Sequence, residues 1–236
     1  MEENKFIETY KEKIKIIFKD EPDPANGNPG IRWAFEPIKK ETKYLILGIN
    51  PSNSLKMVND VIRKSGDKWP EGEFINQYNY DKFLSDPNNE PKILLLQKLA
   101  HQHHTHFEKH RKFAEKLELD SNYQFFDLFP VWGIKQRDFV DKLTNDEKKE
   151  SIKAFKDLID SHKNIECLLF FNAGAANFFM KQNKTKWDSK EKVNVREDDD
   201  RKGPRNSIFQ KGKIKLKNRE IDVHSFGIGG TLEIRN

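Results

Sequence analysis

The chain has one cysteine, Cys167, in 236 residues. That excludes a disulfide within the chain and a zinc site built on several thiolates. Cys167 lies in the apolar run 165–171 and reads as a small buried hydrophobe. Long hydrophobic runs are also missing. No stretch approaches the roughly 18 apolar residues that a membrane-spanning helix needs. The opening Met1-Glu2-Glu3-Asn4 is acidic and unlike a secretory leader, so a soluble, cytoplasmic protein is expected. Apolar residues are scarce at 35%, against 34% charged, which implies a compact core under a heavily charged surface. No internal repeat or composition break divides the chain. Residues 1–236 are therefore expected to form a single domain, with a polar, charge-dense loop or disordered insertion near 182–205.

What is present points to a polyanionic partner. The formal net charge is +5 and the pI is near 9.0, which favours nucleic acid, although Lys and Glu alternate along much of the chain. Phe6, Tyr10, Ile14 and Ile17 recur at helical spacing in a first helix that ends before a Pro/Gly/Asn-rich stretch at 21–30. The run Tyr44-Leu45-Ile46-Leu47 predicts a buried strand. A helix carrying Leu55, Val58 and Ile62 follows, with Ser52 or Ser54 able to cap it. Residues 65–89 are irregular and aromatic, and a long helix is expected over 92–117. A second strand is predicted at 124–129 and a third at 165–171. Between them, Thr144-Asn145-Asp146-Glu147 has the form of a capping box that opens a helix running to about Ser161. Residues 214–216 and 221–226 form the arms of a hairpin, whose second arm supplies strand four. Strands alternating with helices imply an α/β fold. Its expected form is a three-layer α/β/α arrangement around a central, mostly parallel, four-stranded sheet.

Four strand ends carry marked residues, in chain order Asn50, Asp127, Asn172 and His224. Ligands of open α/β sheets bind at the carboxyl ends of the strands, so these residues fall where chemistry is usually done. The first strand ends in Gly48-Ile49-Asn50-Pro51-Ser52. Gly-Ile-Asn-Pro resembles the first motif of the uracil-DNA glycosylase superfamily, in the form used by its mismatch-specific uracil and thymine branch. The order of elements from Tyr44 to Ile228 is similar to that family, and close motif matching is confined to short patches.

The resemblance implies a monofunctional DNA glycosylase that flips a nucleotide, hydrolyses its N-glycosidic bond and leaves an abasic site. Asn50 matches the residue that positions the attacking water. Cleavage builds positive charge on the sugar, and a carboxamide can orient water toward it while being a poor base. Ile49 would line the base and Ser52 would contact DNA. His224 matches the histidine of the last motif and would donate to O2 of the departing base. The last stretch, His224-Ser225-Phe226-Gly227-Ile228, lacks the motif's two prolines and has Phe226 at its serine position. Ser225 and Ile228 are the DNA-contact candidates there, Ile228 as an apolar wedge. Asp127 falls where uracil-reading members place an Asn. An ionised Asp only accepts hydrogen bonds, which favours a cytosine-type base. The base is thus uracil by family default or a modified cytosine by Asp127, and a modified base of phage DNA would imply a defence role. Asp127 as a turn cap is the alternative. Asn172, in Phe171-Asn172-Ala173-Gly174, is a base-binding candidate or a helix N-cap. Trp69, Phe74, Tyr78 and Tyr80 are candidate platforms for the flipped base, with Phe74 preferred.

No metal and no organic cofactor is called for, DNA is the expected partner, and a monomer is expected. Five histidines crowd 101–110, and His106 and His110 have a spacing able to chelate zinc. No His-Glu-x-x-His pattern accompanies them, so a solvated helix face is expected over a metallohydrolase. The basic, alternating stretch 211–219 suits a hairpin along DNA or a lysine-protected edge strand. Degradation of the last motif leaves a second reading open, a glycosylase-shaped nucleic-acid-binding protein without catalysis.

Overall fold

The computed structural model describes residues 2–18, 36–48, 55–66, 69, 83, 86–119, 122–129, 143–194 and 206–227. Along them run α1 (Glu2–Phe18), β1 (Tyr44–Gly48), α2 (Leu55–Ser65), α3 (Glu90–His103) and α4 (Thr105–Lys116). Then come β2 (Tyr123–Asp127), α5 (Asn145–Ser161), β3 (Cys167–Phe170), α6 (Ala173–Gln182), β4 (Ser189–Asn194), β5 (Asn206–Lys215) and β6 (Glu220–Phe226). The fold is α/β.

The sheet is six-stranded and mixed, in the order β2-β1-β3-β6-β5-β4. This corrects the expectation of a four-stranded sheet. β2, β1, β3 and β6 are mutually parallel, while β5 and β4 add to them antiparallel. The missed strand, β4, lies inside the stretch expected to be loop or disorder. Its sequence, Ser-Lys-Glu-Lys-Val-Asn, has no apolar alternation for a pattern to detect, and Lys190, Glu191 and Lys192 are exposed. Main-chain pairing to β5 holds it, and its charges protect an open edge. The β5–β6 hairpin is present, but its first arm is Asn206–Lys215 rather than 214–216, and it joins the sheet as well.

Side-chain alternation divides the core in two. Leu45, Leu47, Phe126, Leu168, Phe170, Ile221 and Val223 face one way, toward α1, α5 and α6. Ile46, Leu169, Cys167 and Phe226 face the other way, against Phe113 and Ala114 of α4. β3 is buried along its whole length, as a central strand covered on both faces must be. Burial pushes the Cys167 thiol up to about 12, so it stays an inert hydrophobe. A separate apolar cluster joins α2 to α3 through Val58, Val61, Ile93, Leu96 and Leu99, with Trp69 and Phe83.

Local chemistry sets the ends of the elements. α1 buries Ile7, Tyr10 and Ile14, one stripe of the predicted helix. α5 begins with a complete capping box: the Glu147 amide donates to Thr144 Oγ1, and the Thr144 amide donates to the Glu147 carboxylate. Its last turn is fastened by Arg219, which follows β5. The Arg219 guanidinium donates to the carbonyls of Ile159, His162, Lys163 and Ile165.

The long helix expected over 92–117 is two helices. His104, between them, is extended (φ −76°, ψ 137°). Ending α3 there frees its last carbonyls, and Arg111 of α4 donates to that of His101. The amphipathic period runs through this break, which is why the sequence shows one helix. Among the described residues, no helix is long and apolar enough to cross a membrane.

Candidate functional site

The parallel strands bring their carboxyl ends to one edge, and the closest meeting there is between β1 and β2. Gly48 and Asp127 are the last residues of these strands and lie opposite each other in the register. The Leu128 amide donates to the Gly48 carbonyl at 3.1 Å, so the two chains stay together one residue beyond the pair. A Cβ built on Gly48 would collide with Asp127 Oδ1. The carboxyl therefore leans over the Gly48 backbone, in space open only because residue 48 has no side chain. The strand run could have ended in any turn former, and only the paired structure shows why it ends in glycine.

Asp127 keeps part of its surface accessible, yet it is enclosed enough that burial raises its carboxyl to about 7. Among the described residues no lysine or arginine pairs with it to offset the cost of ionising it in place. Tyr10 of α1, packed at 6.1 Å from the Phe126 ring, is raised by its own burial and then by the Asp127 charge. Near neutral pH the Asp127 carboxyl is thus divided between acid and carboxylate. The acid has one O–H donor and one C=O acceptor, the same pair of functions as a carboxamide.

Ile49, Asn50 and Ser52 lie outside the described residues, as do Phe74, Tyr78, Tyr80 and Ile228. Asn50 follows the Gly48–Asp127 pair by two residues in sequence. Trp69 is buried, at 3% exposure, and meets Phe83 edge-on at 6.3 Å. It is a core residue and presents no face to a base.

Asn172 is the N-cap of α6, its side chain accepting from the Ala175 amide at 3.2 Å. That is the structural alternative the sequence allowed. His224 sits within β6, aligned with Leu169 on β3 and Lys211 on β5. Phe209 and Phe226 surround it, with ring centroids at 5.8 and 6.2 Å. Burial lowers its pKa, with Lys211 adding to the effect and Asp222 opposing it, which favours a neutral imidazole. β1 and β3 separate His224 from Asp127. Three strand spacings put about 14 Å between β2 and β6. Ser225 points to the opposite side of β6 and is fully buried, so its hydroxyl is not part of the surface expected to meet DNA.

The histidine cluster also differs from expectation. His101 and His110 turn toward the sheet rather than to solvent. His101 packs at 4.7 Å from both Phe107 and Phe125, and His110 stacks on Phe171 at 4.6 Å with the planes 13° apart. Burial, and then the charges of Arg111 and His110, lower the His101 imidazole to about 3. The signal was in the sequence: Phe107, His110 and Ala114 share one helical stripe, so His110 belongs to the apolar face of α4. Among the described residues, no three His, Cys, Asp or Glu side chains converge as metal ligands. Phe171, the residue after β3, and its partner His110 extend the same side of the sheet toward its carboxyl edge. Sequence reasoning did not single out this ring pair.

No family model, curated protein or solved structure matches the chain.

Proposed function

We propose that the chain is a DNA glycosylase of the uracil-DNA glycosylase kind, acting on a flipped uracil or modified cytosine. The observation that carries this reading is the Gly48–Asp127 pair. It ties the base-reading candidate on β2 to the end of the strand from which Gly-Ile-Asn-Pro departs. A base held by Asp127 would have its sugar near that turn, where Asn50 would orient water toward the anomeric carbon. The positive net charge suits the phosphate backbone. As the resemblance implies, His224 would donate to O2 of the leaving base, reaching it from β6, three strands along the sheet from β2.

Alkali-induced strand cleavage of labelled oligonucleotides tests the proposal. The panel holds uracil, G·T, cytosine, hydroxymethylcytosine and glucosylated hydroxymethylcytosine, in single and double strands. Abasic sites on one base, lost in Asn50→Ala, are expected. A blank panel would end the enzymatic reading. The second reading, nucleic-acid binding without catalysis, is favoured by the burial of Ser225 in the last motif. Salt-dependent DNA binding that Asn50→Ala leaves unchanged, with no abasic product, would select it.

A further inference from the structure

The Asp127 carboxyl is set over Gly48 at the carboxyl edge of the parallel strands, partly accessible, in a seat that only a residue lacking a side chain could leave. Among the described residues, the titratable and charged groups near it are few. From α1 comes the Tyr10 hydroxyl, an acid itself and further raised by the Asp127 charge. α3 and α4 contribute His101 and His110, whose rings surround Phe125, two residues before Asp127 on the same side of β2. His101 is held neutral by burial, and Arg111 beside it spends a guanidinium N–H on the His101 carbonyl. β1 offers only the Gly48 backbone, whose carbonyl is engaged by Leu128. This is a poor place for a lone anion and a good one for a neutral carboxyl.

We propose that Asp127 selects its ligand as a neutral carboxylic acid, its O–H donating to a ring carbonyl and its C=O accepting from the adjacent ring N–H. Uracil and thymine present that edge, O4 beside N3–H. An ionised carboxylate can take the N3–H but repels O4, which costs the discrimination typical of an unpaired buried polar contact. The acid performs what an asparagine performs at a uracil-reading position, so an Asp here no longer argues for cytosine alone. The cytosine edge, N4 amine beside N3, also pairs with the acid and loses less when the proton leaves. Rising pH therefore shifts the site away from uracil-type and toward cytosine-type bases. Burial holding the carboxyl near 7 puts that shift within the physiological range.

This inference rests on the carboxyl edge being a base pocket, and the test separates the two. Infrared difference titration of the full chain from pH 5 to 9 should show a carboxylic C=O band that is absent in Asp127→Asn and vanishes around neutrality. A carboxyl already ionised at pH 5 overturns the inference. In parallel, binding of a uracil-containing oligonucleotide is measured at pH 6 and pH 8, with abasic-site formation followed on the same samples. Wild-type binding to uracil should fall by about tenfold between these values. Asp127→Asn, which cannot ionise, should restore at pH 8 the binding that wild type shows at pH 6. Asn50-dependent abasic sites with the same pH profile in wild type and Asp127→Asn would keep the glycosylase and remove this role for Asp127. A uracil-specific, pH-dependent binding that Asp127→Asn flattens, with no abasic product, would do the reverse. Uracil binding that is absent at both pH values overturns this role for Asp127, and the glycosylase reading is then decided by the modified cytosines of the panel.

Discussion

The carboxyl of Asp127 occupies the space that a side chain at Gly48 would need, and this pairing closes the carboxyl ends of β1 and β2 over each other. Gly48→Ala is expected to push the carboxyl off its seat, because the new methyl would collide with its terminal oxygen. The overpacking should cost about 1–3 kcal/mol. Base recognition should fall with it, while far-ultraviolet circular dichroism stays native. Denaturant melts and uracil-oligonucleotide binding measure the two effects. Retention of both at the wild-type level would mean that Asp127 swings aside freely and is not positioned by Gly48.

The same carboxyl gives stability a predictable pH dependence. Its folded value is raised to about 7 from an unfolded value of about 3.9. The folded chain therefore keeps a proton that the unfolded chain releases. Wild-type stability is unpenalised below about pH 4, declines as pH rises through that window, and levels off above 7. Asp127→Asn removes the penalty. Its stability relative to wild type should increase from pH 4.5 to pH 8, with a ceiling of about 4 kcal/mol that partial solvent access reduces. Urea midpoints of the two proteins at these pH values check it. A constant difference would show that the carboxyl titrates normally.

The parts of this fold that bury apolar surface periodically were legible in the sequence, and the parts held by main-chain pairing or by single polar groups were not. Tyr44–Gly48 and the capping box of α5 emerge where expected because their signals are local. β4 carries no apolar code, and its hydrogen bonds to β5 exist only once the hairpin is formed. The break at His104 frees a carbonyl of the previous helix that Arg111 reaches back to, a contact that no periodicity encodes. At the edge of the sheet, the sequence marked Asp127 but read it as an anion, since nothing in its neighbours along the chain reveals its enclosure over Gly48. His224 was marked by its motif position, yet its distance from Asp127 follows from the strand order, which short motifs do not carry.

Arg219 is expected to matter more to stability than its place in a surface turn suggests. Its guanidinium serves four carbonyls around the end of α5, at Ile159, His162, Lys163 and Ile165, over 2.5–3.1 Å. It thus fixes the β5–β6 turn to that helix. Arg219→Ala should cost about 2–3 kcal/mol, since charge-assisted bonds are lost and partly buried acceptors are left without donors. Arg219→Lys should recover only part, because one ammonium cannot reproduce the fork. Thermal melts of the three proteins at one pH test this. Equal loss in both variants would point to the planar guanidinium, and no loss in either would show that water replaces it.

His101 supplies the opposite pH dependence to Asp127. Burial holds its imidazole neutral, with a folded value near 3 against about 6.5 unfolded. The unfolded chain therefore takes up a proton that the folded chain refuses. The stability this represents is complete above about pH 6.5 and is lost as pH falls toward 3. His101→Phe keeps a ring against Phe107 and Phe125 and cannot be protonated. It should lie within about 1.5 kcal/mol of wild type at pH 7.5. At pH 4.5 it should gain on wild type by up to about 2–3 kcal/mol. Between these values Asp127 works the other way, so the wild-type curve carries both slopes and only the single variants separate them. Loss of the acid-side decline in His101→Phe, with the alkaline-side decline intact, assigns the first to His101. An unchanged acid-side decline would show that His101 is not its source and titrates as it does in the unfolded chain.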